Sequence, residues 1–306
     1  MAWLILAFMS AALLGCYDSF KKEALRENAV IPVLFLNTFF SSLIFLPFIV
    51  LSGSSDMLDG SIFHVASGGW EMHKYILLKS LIVLSSWILG YFGMKHLPLT
   101  IVGPINATRP VMVLVGALLV FGERLNGWQW LGVLLAVASF FMLSRSGKKE
   151  GIDFRRDHWI WMIVGAALLG ALSGLYDKFL MAPVESGGVG LDRMLVQSWY
   201  NIYQCVMMLA MLLLLWWPKH HETTPFHWAW SIIGVSLFLS VADFVYFYSL
   251  SLPDAMISIV SMVRRGSVVV SFLFGALFFH EKNLRAKAVD LALVLLGMLF
   301  LYIGSA

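Results

Sequence analysis

The chain has 306 residues, of which 60% are hydrophobic and 13% are charged. Soluble domains carry roughly 25% charged residues, so this composition excludes an ordinary soluble domain and indicates a polytopic membrane protein. The formal net charge of +3 is small and no basic arm is present, which argues against nucleic acid as a partner.

Apolar stretches long enough to cross a bilayer recur along the chain. A membrane-spanning helix needs about 20 mainly apolar residues. The first stretch lacks the charged start and the cleavage site of a signal peptide, so we expect it to be retained as a helix. The predicted fold is an all-α integral membrane protein with ten transmembrane helices, at 2–20, 29–52, 74–95, 97–121, 126–144, 158–180, 191–217, 228–251, 254–279 and 284–304.

The hydrophilic segment 145–157 divides these helices into two sets of five that repeat each other. Because five is odd, the second copy enters the membrane from the opposite side, which predicts inverted repeats with a substrate site near the midplane. We expect a first repeat at 1–147, a basic linker at 148–157 and a second repeat at 158–306. The matches are Gly15-Cys16-Tyr17-Asp18 with Gly174-Leu175-Tyr176-Asp177, Asn37 with Asn201, Tyr91-Phe92 with Tyr246-Phe247, Gly116-Ala117-Leu118 with Gly275-Ala276-Leu277, and Arg109 with Arg264-Arg265.

The distribution of lysine and arginine predicts the orientation. Thirteen of them lie on the side of the loops that follow odd-numbered helices, and four lie on the side of the termini. Positive charge is retained in cytoplasmic loops, so both termini are expected outside the cytoplasm.

Three arginines interrupt the apolar stretches. Arg109 lies between the charge-free runs 97–108 and 110–122, and Arg264 and Arg265 lie between 255–263 and 266–280. A cation at the bilayer centre costs about 3 kcal/mol, so it normally faces a polar interior. These guanidinium groups are candidate ligands for a carboxylate or phosphate. An intramembrane ion pair, or a cap on carbonyls freed by nearby prolines, is the alternative for Arg109. Adjacent helical residues point about 100° apart, so we expect one of the pair to face the cavity and the other to meet an acid.

Asp243 is the candidate acid, because it lies inside the eighth predicted helix where the repeat has Ile88. It is predicted as a counter-ion or as a proton-coupling carboxylate, and a permanent structural salt bridge remains equally open. Asp18 and Asp177 occupy equivalent helix ends, where they could gate the cavity or cap the helices.

Amides and aromatic residues complete the candidate site. Asn37 and Asn201 could orient substrate or bond one helix to another. Trp87, Tyr91 and Tyr246 could line the pocket, although aromatic side chains in such a chain also serve packing and the membrane interface.

Several short motifs together resemble the EamA-like branch of the drug/metabolite transporter superfamily over almost the full length. They are Leu97-Pro98, Gly122-Glu123-Arg124-Leu125, Tyr246-Phe247-Tyr248-Ser249-Leu250 and Gly275-Ala276-Leu277-Phe278-Phe279-His280-Glu281.

The arginines depart from most EamA-like exporters, which carry neutral residues at these places. Their placement is similar to that in triose-phosphate translocators, which hold phosphate with one basic residue on the fourth helix and a basic pair on the ninth. This resemblance implies substrate contacts for Arg109, Arg264 and Arg265. The charge count is a second departure, since members of this family usually keep their termini in the cytoplasm.

The predicted function is a secondary active transporter that moves a small organic anion, carboxylated or phosphorylated, by exchange or proton coupling. It is expected in the cell membrane, inner or plasma, with an anionic small molecule and membrane lipids as partners and with a homodimer left open. A flippase for a phosphate-bearing lipid intermediate and an exporter of amino acids or drug-like metabolites are the alternatives. An intramembrane lipid-modifying enzyme and a membrane receptor are less favoured. The sequence holds no enzyme, zinc or nucleotide-binding motif, so no catalytic residue, metal or cofactor is expected.

Overall fold

The computed structural model describes residues 2–109, 111–112, 126–148, 154, 156–181, 183–252, 260, 263–264, 266–279 and 284–305. These residues form ten α-helices, joined by turns, by longer loops that include short 3₁₀- and π-helical pieces, or by segments outside the described ranges. In chain order they are α1 Ala2–Ala24, α2 Val30–Ser54, α3 Trp70–His96, α4 Leu99–Ala107, α5 Gly127–Lys148, α6 His158–Met181, α7 Arg193–Met211, α8 Ser231–Ser251, α9 Ser267–Leu277 and α10 Leu284–Ser305.

Seven helical stretches of the described residues are long and apolar enough to cross a membrane. The predictions of an all-helical chain with several spans are therefore confirmed. The predicted spans 97–121 and 254–279 run beyond the described residues, so the total of ten crossings stays a prediction. The seven spans are Trp3–Ala24, Val30–Ser54, Trp70–His96, His158–Met181, Arg193–Lys219, Ser231–Ser249 and Lys287–Gly304.

Three helix boundaries follow directly from the sequence. Helix α3 ends at His96 because Pro98 disfavours helical geometry in the residue before it, and Leu97 is extended with ψ 150°. Pro98 is also extended, with ψ 144°, and occupies the N-cap position of α4. At the start of α7, the Asp192 carboxylate accepts a hydrogen bond from the Leu195 amide at 2.9 Å, as an N-cap residue does.

The main helix contacts join the first half of the chain to the second. Helix α1 packs along α8, α6 along α3, α2 against α7, α4 against α9 and α5 against α10. Serine hydroxyls bond backbone carbonyls across four of these five pairs, which suits a membrane interior where polar groups must find partners. The bonds run from Ser10 to Ala242, from Ser86 to Ala166 and from Ser139 to Asp290, each at 2.7 Å, and from Ser42 to Asn201 at 2.9 Å.

Glycines allow the closest of these approaches. A Cβ atom at Gly93 would lie 2.5 Å from Ile163 of α6, and one at Gly103 would lie 2.7 Å from Val268 of α9. Such distances are shorter than real carbon contacts, so the helices meet backbone to side chain. Both close approaches join the first half of the chain to the second.

Candidate functional site

A cavity of ≈ 170 Å³ lies between the two halves of the chain, with walls from α1, α3, α4, α6, α7, α8 and α9. It collects charged side chains that are far apart in sequence. Four cations and three carboxylates among the described residues line it: Lys21, Lys79, Arg109 and Arg264 with Asp18, Asp177 and Asp243.

Asp243 and Arg264 form an ion pair in this cavity. Arg264 Nη2 donates to Asp243 Oδ1, and the Tyr200 hydroxyl donates to Asp243 Oδ2 at 2.9 Å. The Arg264 guanidinium carbon lies 4.2 Å from the centre of the Tyr246 ring, a cation–π distance. The carboxylate therefore orders one arginine, and a tyrosine from each of two helices completes the cluster.

Lys79 and Asp177 form a second ion pair, between α3 and α6. The lysine side chain is 4% exposed, and its ammonium also lies 5.1 Å from the centre of the Tyr200 ring. Asp177 precedes the end of α6 by four residues. This pair therefore lies in the cavity wall toward the face of the bundle at which α6 ends.

Asp18 and Lys21 form a third pair, at 3.1 Å within α1. Asp18 Oδ2 also accepts a hydrogen bond from the Ser271 hydroxyl of α9 at 3.2 Å. The Lys21 ammonium lies 4.4 Å from the Tyr17 ring centre and 5.1 Å from the Tyr91 ring centre. Since α2 separates the end of α1 from the start of α3, this pair lies toward the opposite face from Lys79 and Asp177.

Arg109 differs from the other three cations, because no carboxylate in the described part of the chain contacts it. Its Nη2 donates to the neutral side-chain oxygen of Asn106 at 3.0 Å. Its buried Nε has no hydrogen-bond partner within the described ranges. A planar guanidinium with open donors is therefore present in the cavity, and it can bind an anion.

The remaining sequence-predicted site residues fall into three groups. Trp87, Tyr91 and Tyr246 line the cavity, as do Asp18 and Asp177. Two amides lie outside the lining: Asn37 donates to the Tyr91 hydroxyl at 3.0 Å, and Asn201 donates to the Gln197 carbonyl at 2.8 Å. Arg265 lies outside the described residues.

Sequence reasoning missed Lys21 and Lys79 as site residues. Both lysines are buried and line the cavity. Two signals could have found them. Lys21 lies three residues after Asp18, on the same helix face. In the predicted second repeat, the position equivalent to Lys79 holds the uncharged Gly234.

The site offers charge and aromatic surface, with no metal-binding geometry in the described ranges. No group of three or more His, Cys, Asp or Glu side chains among the described residues could hold a metal ion. The open guanidinium of Arg109 is chemically suited to binding a small anion.

Comparison with known families gives a match for the first 145 residues of the chain. Residues 1–145 match the model of the EamA-like transporter family, part of the drug/metabolite transporter superfamily. The resemblance predicted from the sequence motifs is confirmed over these residues. A match of this kind indicates a membrane transporter of small molecules. No curated protein matches the sequence.

A solved crystal structure has the same fold, with a TM-score of 0.66 over 99% of this chain and 97% of the other. The two sequences are 11% identical, so the likeness concerns the fold alone.

Proposed function

We propose that this membrane protein, whose residues 1–145 match the EamA-like transporter family, is a secondary active transporter for a small organic anion. The substrate carries a carboxylate or phosphate group and binds in the central cavity. The cell membrane, inner or plasma, is the proposed location.

The observation that carries this proposal is the environment of Arg109. The other three cavity cations each contact a carboxylate, whereas Arg109 contacts the neutral amide of Asn106 in the described structure. A guanidinium within a membrane protein is costly unless it is paired or hydrated. An anionic substrate would supply the missing charge and accept the open donors. Arg109 is therefore the proposed primary ligand.

Arg264 is the proposed second ligand, under the control of Asp243. Its guanidinium is bound to that carboxylate and stacked on Tyr246. A substrate that reaches Arg264 must compete with Asp243, so binding and the state of this carboxylate are linked. Asp243 is the proposed coupling or counter-ion residue, with energy supplied by exchange or by a proton gradient.

The helix contacts support two inverted five-helix repeats, at 1–147 and 158–306, joined by the linker 148–157. If each helix is exchanged with the helix five positions away in chain order, the contact between α1 and α8 becomes the contact between α6 and α3. In the same way, the contact between α1 and α9 becomes the contact between α6 and α4. The exchange converts the α2–α7, α4–α9 and α5–α10 contacts into themselves. Such symmetry is the basis of alternating access, in which the halves rock around a central site. Asp18 and Asp177 are proposed as gate residues at the two ends.

Transport by purified protein in proteoliposomes tests the proposal. A thermal-shift screen of carboxylates and phosphates would first select the substrate, and uptake of that compound would then be measured. We expect Arg109→Gln to reduce uptake about 100-fold, because it removes a charge and a bidentate contact.

Arg193→Gln is the matched control. Arg193 lies at the start of α7, outside the cavity lining, and donates to the Ile62 carbonyl at 3.1 Å. The Arg193→Gln variant should retain wild-type uptake. Both variants should elute from a gel-filtration column as the wild type does. Wild-type uptake by a folded Arg109→Gln variant would contradict the proposal.

A further inference from the structure

The Arg109 guanidinium rests on the backbone of α6 at Gly170. If Gly170 carried a Cβ atom, that atom would lie 2.7 Å from both Cζ and Nη1 of Arg109 and 3.0 Å from Nε. Distances under 3.0 Å are essentially never found for real Cβ atoms, so the two groups could not coexist as they stand. Arg109 belongs to the first half of the chain and Gly170 to the second, which makes this a contact between the halves.

From this contact we propose that Gly170 is a positioning residue that fixes where the Arg109 guanidinium presents its donors to the anion. The inference rests on the proposed function, because it concerns how the same site is built. Asn106 holds one edge of the guanidinium through Nη2. The absence of a side chain at position 170 leaves a surface for the rest of the group. Asn106 and the bare backbone at Gly170 together fix both the depth and the tilt of the Arg109 guanidinium in the cavity.

The physical consequence of adding a methyl group is a shift of Arg109 rather than of the helix. The clashing atoms are the far end of a long, flexible side chain, while the Cβ is anchored to the α6 backbone. Gly170→Ala therefore moves the guanidinium off α6 and into the cavity. The donors no longer meet the anion at the geometry that a bidentate contact requires, and the space left for the substrate shrinks.

Gly174 provides a matched control on the same helix. It lies one turn further along α6 and faces the same cavity, but a Cβ atom there would meet nothing within 4 Å. Gly170→Ala and Gly174→Ala share the same change in backbone entropy and helix propensity. A difference between them therefore reports the contact with Arg109.

Chemical labelling tests the position of Arg109 without any substrate. The purified full-length protein and the two glycine variants would react with phenylglyoxal, which modifies accessible arginines, and peptide mass spectrometry would follow modification at Arg109. We expect severalfold faster modification in Gly170→Ala and the wild-type rate in Gly174→Ala. Equal rates in the two variants would overturn the proposal.

Transport kinetics supply the second readout. Gly170→Ala should raise KM about tenfold with little change in the maximal rate, because it weakens ground-state binding. In an Arg109→Lys background, which lacks the planar fork, the same substitution should add no further increase. An additive effect in that background would contradict positioning through Arg109.

The labelling and transport measurements distinguish failure of the positioning role of Gly170 from failure of the proposed function. Faster labelling in Gly170→Ala, without anion transport by the wild type, would support the positioning role and reject the proposed function. Anion transport that requires Arg109 but is indifferent to Gly170→Ala would do the reverse.

Discussion

At the scale of single residues, Asp243 has the most specialised surroundings. It is bonded by a cation and by a phenol, from Arg264 and Tyr200. Its repeat-equivalent position holds Ile88, so the acid is present in one half alone. A carboxylate that occurs in one half alone suits the coupling role proposed for Asp243.

Asp243→Asn should separate coupling from binding. The asparagine oxygen can still accept from Tyr200, but the side chain no longer neutralises Arg264. We expect that uptake driven by an imposed pH gradient is lost, while exchange of substrate across a membrane without a gradient persists. Proteoliposome uptake and counterflow measure the two activities.

Tyr200→Phe is the control for this variant. It removes the 2.9 Å hydrogen bond to Asp243 but keeps the carboxylate and its ion pair, so dependence on the gradient should survive. The coupling role would be rejected if Asp243→Asn responded to the gradient as the wild type does.

Residue-level signals explain what the sequence could predict about the site. Arg109, Arg264 and Asp243 stand out because a charge inside an apolar run is visible in one dimension. The pairing of Asp177 with Lys79 is not visible in this way, since Lys79 lies 98 positions earlier in the chain. The contact between Arg109 and Gly170 is equally hidden, because a glycine carries no chemical signal of what packs on it.

At the scale of helices, the crossing of α4 and α9 holds the two arginine-bearing segments together. Gly103 of α4 meets the side chain of Val268 in α9, where a Cβ atom would lie 2.7 Å from Cγ2. Gly266 caps α9 at its start, directly after the segment that carries Arg264. The close crossing therefore sets the separation of Arg109 and Arg264 through the backbones.

Gly103→Val should destabilise this crossing. Extra carbon atoms in a packed interface cost about 1–3 kcal/mol, more than the fraction of a kcal/mol that valine gains over glycine in helix propensity. We expect a lower melting temperature for the detergent-solubilised protein, followed by intrinsic tryptophan fluorescence. Val268→Ala should restore part of the loss in the double variant.

Gly53→Ala is the control for Gly103→Val, since nothing lies within 4 Å of a Cβ atom at that position. It should leave the melting temperature nearly unchanged. A melting temperature of Gly103→Val equal to that of the wild type would show that the helices do not meet as described.

Helix positions were predictable where hydrophobic length alone decides them. The predicted spans 29–52, 158–180 and 284–304 correspond to Val30–Ser54, His158–Met181 and Leu284–Ser305. Hydrophobic length alone does not decide helix positions where proline or glycine lies near a charged residue. Helix α4 contains Pro104, and the described part of α9 begins after Gly266. Which helices pack together was not predictable from one sequence, because spacing along a chain carries no information about lateral neighbours.

At the scale of the whole molecule, burial refines the charge count used for orientation. Lys21 and Lys287 belong to the thirteen lysines and arginines on the side of the loops that follow odd-numbered helices, but both are buried within the bundle, with 7% and 0% of their surface exposed. Without these two lysines, eleven lysines and arginines lie on the side of the loops that follow odd-numbered helices and four on the side of the termini. The predicted orientation of the chain is therefore the same. The positive-inside rule concerns loop charges near the membrane, and those that remain still favour termini outside the cytoplasm.

Cysteine labelling would test this orientation with two loops on opposite sides. Asp59 lies between α2 and α3, Glu222 lies between α7 and α8, and both are exposed. In a background without Cys16 and Cys205, each is replaced by cysteine and treated with a membrane-impermeant maleimide on intact cells. We expect Asp59→Cys to react at once, because its loop shares the side of the termini. Glu222→Cys should react after permeabilisation, and a reporter fused after Ala306 should behave as extracytoplasmic. The opposite labelling pattern would place the termini in the cytoplasm, as in most members of the family, and would mean that the surplus of loop lysines and arginines does not set the topology of this chain.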